Sequence, residues 1–247
     1  MVTYDGSREF RGARFRNVDM SGADFRDVIL SGARMRGVLL TGVDIDGDIA
    51  NLRINGVEVA PLVQAERERR HPELRALRPA TADAAREAWA MVESLWAETT
   101  ARAAALPDAD RHRSVDEEWS FVQTLRHLVF VTDGWLSDAV LGRPRPFHPL
   151  ALPPDFLDGA RLGIDTAVTP SFDDVCAARA DRQRQVREFL TAADDAELTR
   201  VREPNPVPGY PPPQQRRALD CIQVILDEEW EHRRIAVRDL DVIASGG

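Results

Sequence analysis

The chain contains no lysine and almost no cysteine. All 32 basic residues are arginines, and the two cysteines, Cys176 and Cys221, lie far apart without any Cys-x-x-Cys pair. Two distant cysteines provide no disulfide framework, so we expect both thiols to be buried and reduced. The arginine-only set of cations, together with a high alanine content, suggests a GC-rich genome.

Long apolar runs and excess positive charge are also missing. No apolar stretch approaches the roughly 18 residues of a membrane helix, and the first residues, MVTYDGSREF, contain no apolar signal-peptide core. The net charge of −9 opposes general nucleic-acid binding, which needs a basic surface to displace counterions from phosphate. We therefore expect a cytoplasmic protein that binds neither nucleic acid nor membranes.

What the sequence does contain is a five-residue repeat between about positions 8 and 46. A period of five fits neither the 3.6-residue period of a helix nor the two-residue period of a strand, but it fits one side of a square coil. An alanine or valine stands two positions before each large apolar residue of the repeat except the first. These large apolar residues are Phe10, Phe15, Met20, Phe25, Leu30, Met35, Leu40 and Ile45.

This stretch, GARFRNVDMSGADFRDVILSGARMRGVLLTGVDIDG, resembles the pentapeptide-repeat family. The resemblance implies a short right-handed quadrilateral β-helix, which we assign to a module over residues 8–63. Eight repeats make about two coils, near the minimum for a solenoid core. A folding cap or docking surface is therefore the expected role of the module, rather than the DNA mimicry or partner binding seen in the family.

The segment after the repeats predicts a turn and a connecting helix. Asn55 and Gly56 stand between short apolar runs, which is typical of a tight hairpin turn. Residues 64–78 are charge-rich and favour a helix interrupted near Pro72. We therefore place a linker at 64–80.

From residue 81 onward, helical periodicity alternates with proline-rich loops. The pattern predicts four helices, over 81–106 with Thr81 as N-cap, 116–141, 171–193 and 213–243. The loops at 144–156 and 203–213 are too rich in proline for helix or sheet interiors. They either form the rim of a pocket or only connect helix ends.

Two polar residues interrupt the apolar face of the fourth predicted helix. Glu228 and His232 are four residues apart and follow Cys221, Val224 and Ile225 on that face. A carboxylate turned toward a core is costly unless it is paired or bound to a cation. Residues four apart on a helix can bind one metal ion together.

The third candidate ligand is His127, which stands among apolar residues in the second predicted helix. Two histidines and one glutamate, with positions left for water or substrate, form the open pattern of a catalytic zinc site. Each histidine by itself also fits an ordinary hydrogen-bonded role, and Glu228 a salt bridge with arginine. Glu229-x-x-His232 matches half of a di-iron motif, but such a site needs a second copy in the bundle and two more inward glutamates, so we exclude it; Glu68-x-x-His71 has the same spacing but lies in the linker.

WSFVQTLRHLVFVTDGWL, PFHPLALPPDF, PNPVPGYPPP and EEWEHRRIAVRDL together resemble the DinB-like family of four-helix bundles. The resemblance implies an α+β protein in which a DinB-like bundle over 81–247 follows the β-helix. It also implies one divalent metal, zinc first and nickel second, held by His127, Glu228 and His232. Many members use three histidines, whereas the mycothiol-dependent maleylpyruvate isomerase branch uses His, Glu and His.

Related bundles activate a low-molecular-weight thiol, so the resemblance implies a metal-dependent thiol S-transferase acting on an electrophile. The GC-rich composition favours mycothiol as the thiol. One alternative is an enzyme in which the metal activates water instead of a thiol. Another is a non-catalytic bundle that works in a stress response or through its pentapeptide face. Family members often form homodimers, although no heptad seam marks one here. His148 is a lesser candidate for a substrate contact.

Overall fold

The computed structural model describes residues 10–26, 28–47, 49–207 and 209–246. The chain divides into two compact units between Ile49 and Ala50. Residues 8 and 9, where the predicted repeat module begins, lie outside the described residues. The predicted limits at 63 and 80 stay predictions.

The repeat unit is built from turns at regular intervals. A glycine with φ between 68° and 76° recurs every ten residues, at Gly12, Gly22, Gly32 and Gly42. In three of these turns the N–H of an alanine donates to the carbonyl three residues earlier, as from Ala13 to Phe10 at 2.9 Å. Over 10–26 and 28–47 no residue is in a β-strand, so the quadrilateral β-helix stays a prediction.

The large apolar side chains of the repeats are exposed. The eight residues of the five-residue period keep between 42% and 63% of their surface accessible. Two further residues, Ile29 and Leu39, are 86% and 89% exposed. The regularity of this unit therefore lies in its backbone turns rather than in a closed core.

The hairpin and the connecting helix both form. Strands β1 (Arg53–Ile54) and β2 (Val57–Glu58) pair antiparallel around Asn55 and Gly56, whose φ values of 51° and 83° suit a two-residue hairpin turn. Helix α1 (Ala60–Arg70) begins four residues before the predicted start, with a proline in its first turn, where no N–H is required. A 3₁₀ turn (Pro72–Arg75) follows it.

Four long helices form the second unit. They are α2 (Ala82–Ala104), α4 (Phe121–Thr132), α5 (Phe172–Ala192) and α7 (Ala218–Ala244), and each packs against two of the others. Thr81 and Ser171 cap α2 and α5 by accepting hydrogen bonds from backbone N–H groups. The helical part of the predicted fold is thus confirmed.

Shorter elements connect these helices. Helices α3 (Asp108–Arg111) and α6 (Asp195–Thr199) and a 3₁₀ turn (Gly159–Leu162) lie in the connections, and a π turn (Asp133–Asp138) extends α4. Strands β3 (Val201–Arg202) and β4 (Arg216–Arg217) pair antiparallel just before α7.

Two predicted helix starts were wrong by five residues. Helix α4 begins at Phe121 rather than 116 because Asp116 and Glu117 have left-handed φ values of 50° and 60°, and Ser120 forms a capping box with Gln123. Helix α7 begins at Ala218 rather than 213 because the preceding β4 pairs with β3.

Helix α4 is buried on nearly every side. One face joins the main core of the helices, with Leu125 and Leu128, while Val129 and Phe130 pack against the predicted loop segments, including Phe147 and Tyr210. The loops therefore cover α4, although Phe156 stays 73% exposed. Among the described residues, no helix is both long and apolar enough to cross a membrane.

Candidate metal centre

The structure brings the three predicted ligand residues together. His127 lies in the middle of α4, and Glu228 and His232 lie one turn apart on α7, which packs against α4. One potential ligand atom from each residue lies within 4.8 Å of the other two. The Oε2 atom of Glu228 is 3.5 Å from Nε2 of His127 and 3.1 Å from Nε2 of His232.

A backbone carbonyl sets the orientation of His127. Its Nδ1 atom is 3.1 Å from the carbonyl oxygen of Leu152 in the first proline-rich loop. A carbonyl can only accept, so Nδ1 carries a proton, and loss of the proton from Nε2 would leave a lone pair on the side of Glu228, available to a cation. Metal-binding histidines are commonly oriented in this way by a partner at the second ring nitrogen.

The charges of the buried groups suit a divalent cation. Burial lowers the pKa of His127; the hydrogen bond with Glu228 opposes this shift, and the neighbouring His232 adds to it. Burial by itself raises the pKa of Glu228, but hydrogen bonds and charges from both histidines reverse the shift and bring it to about 2. A neutral imidazole beside an ionised carboxylate is the donor set that Zn²⁺ binds, so these residues fit the metal.

The site opens to solvent on one side. The side chains of His127, His232 and Glu228 are 8%, 20% and 35% exposed, respectively. Three protein ligands with an accessible side leave room for a further ligand, as in catalytic rather than structural zinc sites. The arrangement can therefore hold a cation and admit a small molecule next to it.

An aromatic ring that the sequence pattern did not single out lies against both histidines of the site. The Trp119 indole has its ring centroid 4.5 Å from that of His127 and 5.8 Å from that of His232. Its position just before the N-cap of α4 was the available signal, because a residue there lies near the start of the helix that carries His127.

Glu229 does not take part in the cluster. It is fully buried and pairs with Arg179 of α5. Across the residues that the structure describes, His127, Glu228 and His232 form the one group with suitable metal-ligand spacing.

His148 lies in a different cluster. Its backbone N–H donates to Asp133 at 2.7 Å, and its Nδ1 accepts from the N–H of Leu150 at 3.1 Å. Arg182 donates to the second oxygen of Asp133 at 2.6 Å. The structure thus places His148 where it holds a loop, and its predicted substrate contact stays a prediction.

Two family models match the chain. The DinB superfamily matches residues 91–236, more than half of the sequence, so this chain belongs to the DinB superfamily. Eight copies of the pentapeptide repeat match residues 9–47. No curated protein sequence and no solved structure matched closely enough to add an individual relative.

Proposed function

We propose that this protein is a metal-dependent thiol S-transferase, with zinc held by His127, Glu228 and His232. The proposal depends mainly on one observation: the three ligand atoms lie within 4.8 Å of one another, and the side chains of His232 and Glu228 are partly exposed to solvent. Membership of the DinB superfamily supports a divalent metal at this place. Mycothiol is the thiol that the composition favours.

The residues around the site suit activation of a thiol. A Zn²⁺ ion at these side chains would supply the positive charge that lowers the pKa of a bound thiol and keeps it as thiolate at neutral pH. Glu228 keeps its charge, and His127 is held by Leu152 with Nε2 directed into the site. The thiol sulfur then forms a bond to carbon of the electrophile, whose leaving group departs with its electron pair, while the thiol proton passes to solvent.

The neighbouring acids favour a thiol over water as the nucleophile. A water nucleophile benefits from a free general base within hydrogen-bond reach. Asp227 pairs with Arg78 at 2.8 Å, and Glu231 pairs with Arg67 and Arg234. Both carboxylates are therefore held by arginines, and neither is poised to take a proton from water.

Metal content is the first test. We expect about one zinc per wild-type chain by mass spectrometry after purification without tag or chelator, and loss of that zinc in His232→Ala. His112→Ala is the matched control because it removes a histidine outside the triad. Absence of metal from the wild type after incubation with zinc or nickel would contradict the proposal.

Thiol conjugation is the second test. We expect the zinc-loaded protein to accelerate the reaction of mycothiol with a fluorogenic bimane, and His232→Ala to lose that acceleration. Glutathione and bacillithiol serve as alternative thiols. A metal-loaded protein that neither binds mycothiol nor conjugates it would leave the metal site in place and reject the transferase.

A non-catalytic interaction role is the second candidate, and the exposed repeats favour it. Ile29 and Leu39 expose almost their whole side chains. We propose that the repeats form the quadrilateral β-helix, since their turns recur every ten residues. Under this alternative, Ile29→Ser with Leu39→Ser would abolish association seen by light scattering, while metal content would stay at the wild-type value.

A further inference from the structure

The two histidines of the triad are held in different ways. Nδ1 of His127 donates to the carbonyl of Leu152. For His232, the polar contact runs from Nε2 to Glu228, and within the described ranges no hydrogen bond reaches Nδ1. The orientation of the second imidazole therefore depends on another contact.

The Trp119 indole provides that contact. Its plane lies 20° from the plane of the His232 ring with the centroids 5.8 Å apart, which is an offset-stacked arrangement. The same indole meets the His127 ring at 4.5 Å with a tilt of 42°. One side chain thus touches both imidazoles, and it restricts rotation of His232 about its side-chain bonds.

The backbone before α4 holds Trp119 in this position. Asp116 and Glu117 both adopt left-handed φ values, which non-glycine residues rarely do. The Ser114 hydroxyl donates to the carbonyl of Glu118 at 2.6 Å, and Ser120 begins the capping box of α4. Strained backbone held by its surroundings is frequent near functional sites.

We propose that Trp119 is a positioning residue for the metal centre, and that its stacking on His232 replaces the hydrogen bond that usually orients a metal-binding histidine. The inference rests on the proposed metal site. Trp119 itself is not a ligand, since the indole N–H is only a donor. Its effect is on metal affinity and on the geometry around the metal.

The test compares three substitutions at one position. Trp119→Ala removes the ring, Trp119→Phe keeps an aromatic face, and Trp119→Leu keeps bulk without one. Loss of a partner that orients a ligand typically weakens metal binding by about 10–100-fold, which is the increase in zinc Kd that we expect for the Ala and Leu variants. Trp119→Phe should recover most of the affinity.

The matched control is Trp135→Ala. Trp135 is another partly buried tryptophan beyond α4, but its ring contacts are Tyr210 and Arg216. We expect its zinc Kd, measured by competition with a chromogenic chelator, to stay at the wild-type value. In the Co²⁺-loaded proteins, the visible absorption bands should change in Trp119→Ala and Trp119→Leu but not in Trp119→Phe or Trp135→Ala.

The outcomes separate this inference from the proposed function. If the wild type binds no metal, both are overturned. If the wild type binds zinc and the Ala and Leu variants match its Kd and Co²⁺ spectrum, only the role of Trp119 is overturned. If Trp119→Ala does not fold, equal affinity of the Leu and Phe variants would show that bulk suffices and would also overturn the inference.

Discussion

The repeat unit and the helical unit use the same apolar residues to opposite effect. Leu40 of the repeats is 51% exposed, whereas Leu190 of α5 is 1% exposed. The repeats derive their order from glycine turns that recur along the chain, such as those at Gly22 and Gly32. The helices derive theirs from contacts between distant segments. A regular sequence pattern can therefore specify local geometry without enclosing a core.

The largest difference in unfolding free energy between the two units is expected when the buried ion pair of the helical unit is broken. Glu229→Gln leaves the buried Arg179 guanidinium without its counter-charge, which we expect to lower the free energy of unfolding by about 3–5 kcal/mol. Arg34→Gln, at an exposed position of the repeats, should change it by less than about 0.5 kcal/mol. Urea unfolding followed by circular dichroism measures both.

Zinc content distinguishes the loss of stability in Glu229→Gln from damage to the metal site. Glu229→Gln should keep one zinc per folded chain, whereas Glu228→Ala should lose it. Loss of zinc in both variants would contradict the separate roles that the structure gives to these adjacent acids.

Matched leucine truncations test the comparison directly. Leu190→Ala leaves a cavity in the packed core and should cost about 2–5 kcal/mol of unfolding free energy. Leu40→Ala removes a half-exposed side chain and should cost less than about 1 kcal/mol. Scanning calorimetry reports both. Equal costs would mean that the repeats enclose a core after all.

Two aspartates should respond to pH in opposite directions. Burial raises the pKa of Asp133 to about 6, although Arg182 and the His148 N–H oppose the shift. The folded protein therefore binds this proton more tightly than the unfolded chain does. As pH falls from about 6 to 4, wild type should gain up to about 3 kcal/mol relative to Asp133→Asn.

Asp19 of the repeats provides the contrast. Hydrogen bonds from the hydroxyl and N–H of Ser21 lower its pKa. Its stabilisation is present above the ordinary pKa of aspartate and is lost as pH falls through the lowered value. Unfolding midpoints of Asp133→Asn, Asp19→Asn and wild type between pH 3 and 8 test both signs. A pH-independent difference between Asp133→Asn and wild type would refute the first.

Two glycines should each be costly to substitute, for different reasons. Gly22→Ala has open space for the new methyl group but a φ of 72°, so we expect a cost of about 1–2 kcal/mol from the backbone alone. At Gly134 the added Cβ would lie 2.9 Å from the carbonyl oxygen of Tyr210, and the cost of about 1–3 kcal/mol comes from crowding.

A rescue variant distinguishes the two glycines. Asparagine tolerates left-handed φ, so Gly22→Asn should recover part of the loss, whereas Gly134→Asn should be worse than Gly134→Ala. Thermal midpoints measured in parallel decide this. No recovery at Gly22 would contradict the turn geometry.

Much of the fold followed from local signals in the sequence. The five-residue period identified the repeats, Asn55 and Gly56 identified the hairpin, and Thr81 marked the start of α2. The helix starts at 116 and 213 were each placed five residues too early, because local backbone geometry sets the true boundaries at Phe121 and Ala218. The left-handed backbone at Asp116 and the pairing of β3 with β4 are not visible in hydrophobic periodicity.

The sequence by itself determined the turns of the repeats, the amphipathic helices and the placement of Glu228 and His232 on one face of α7, because these depend on spacing along the chain. Only the tertiary structure decided that His127 meets them, that Leu152 orients its ring and that Trp119 stacks on His232. Those contacts join segments far apart in sequence. They depend on how helices and loops pack, which no local period encodes.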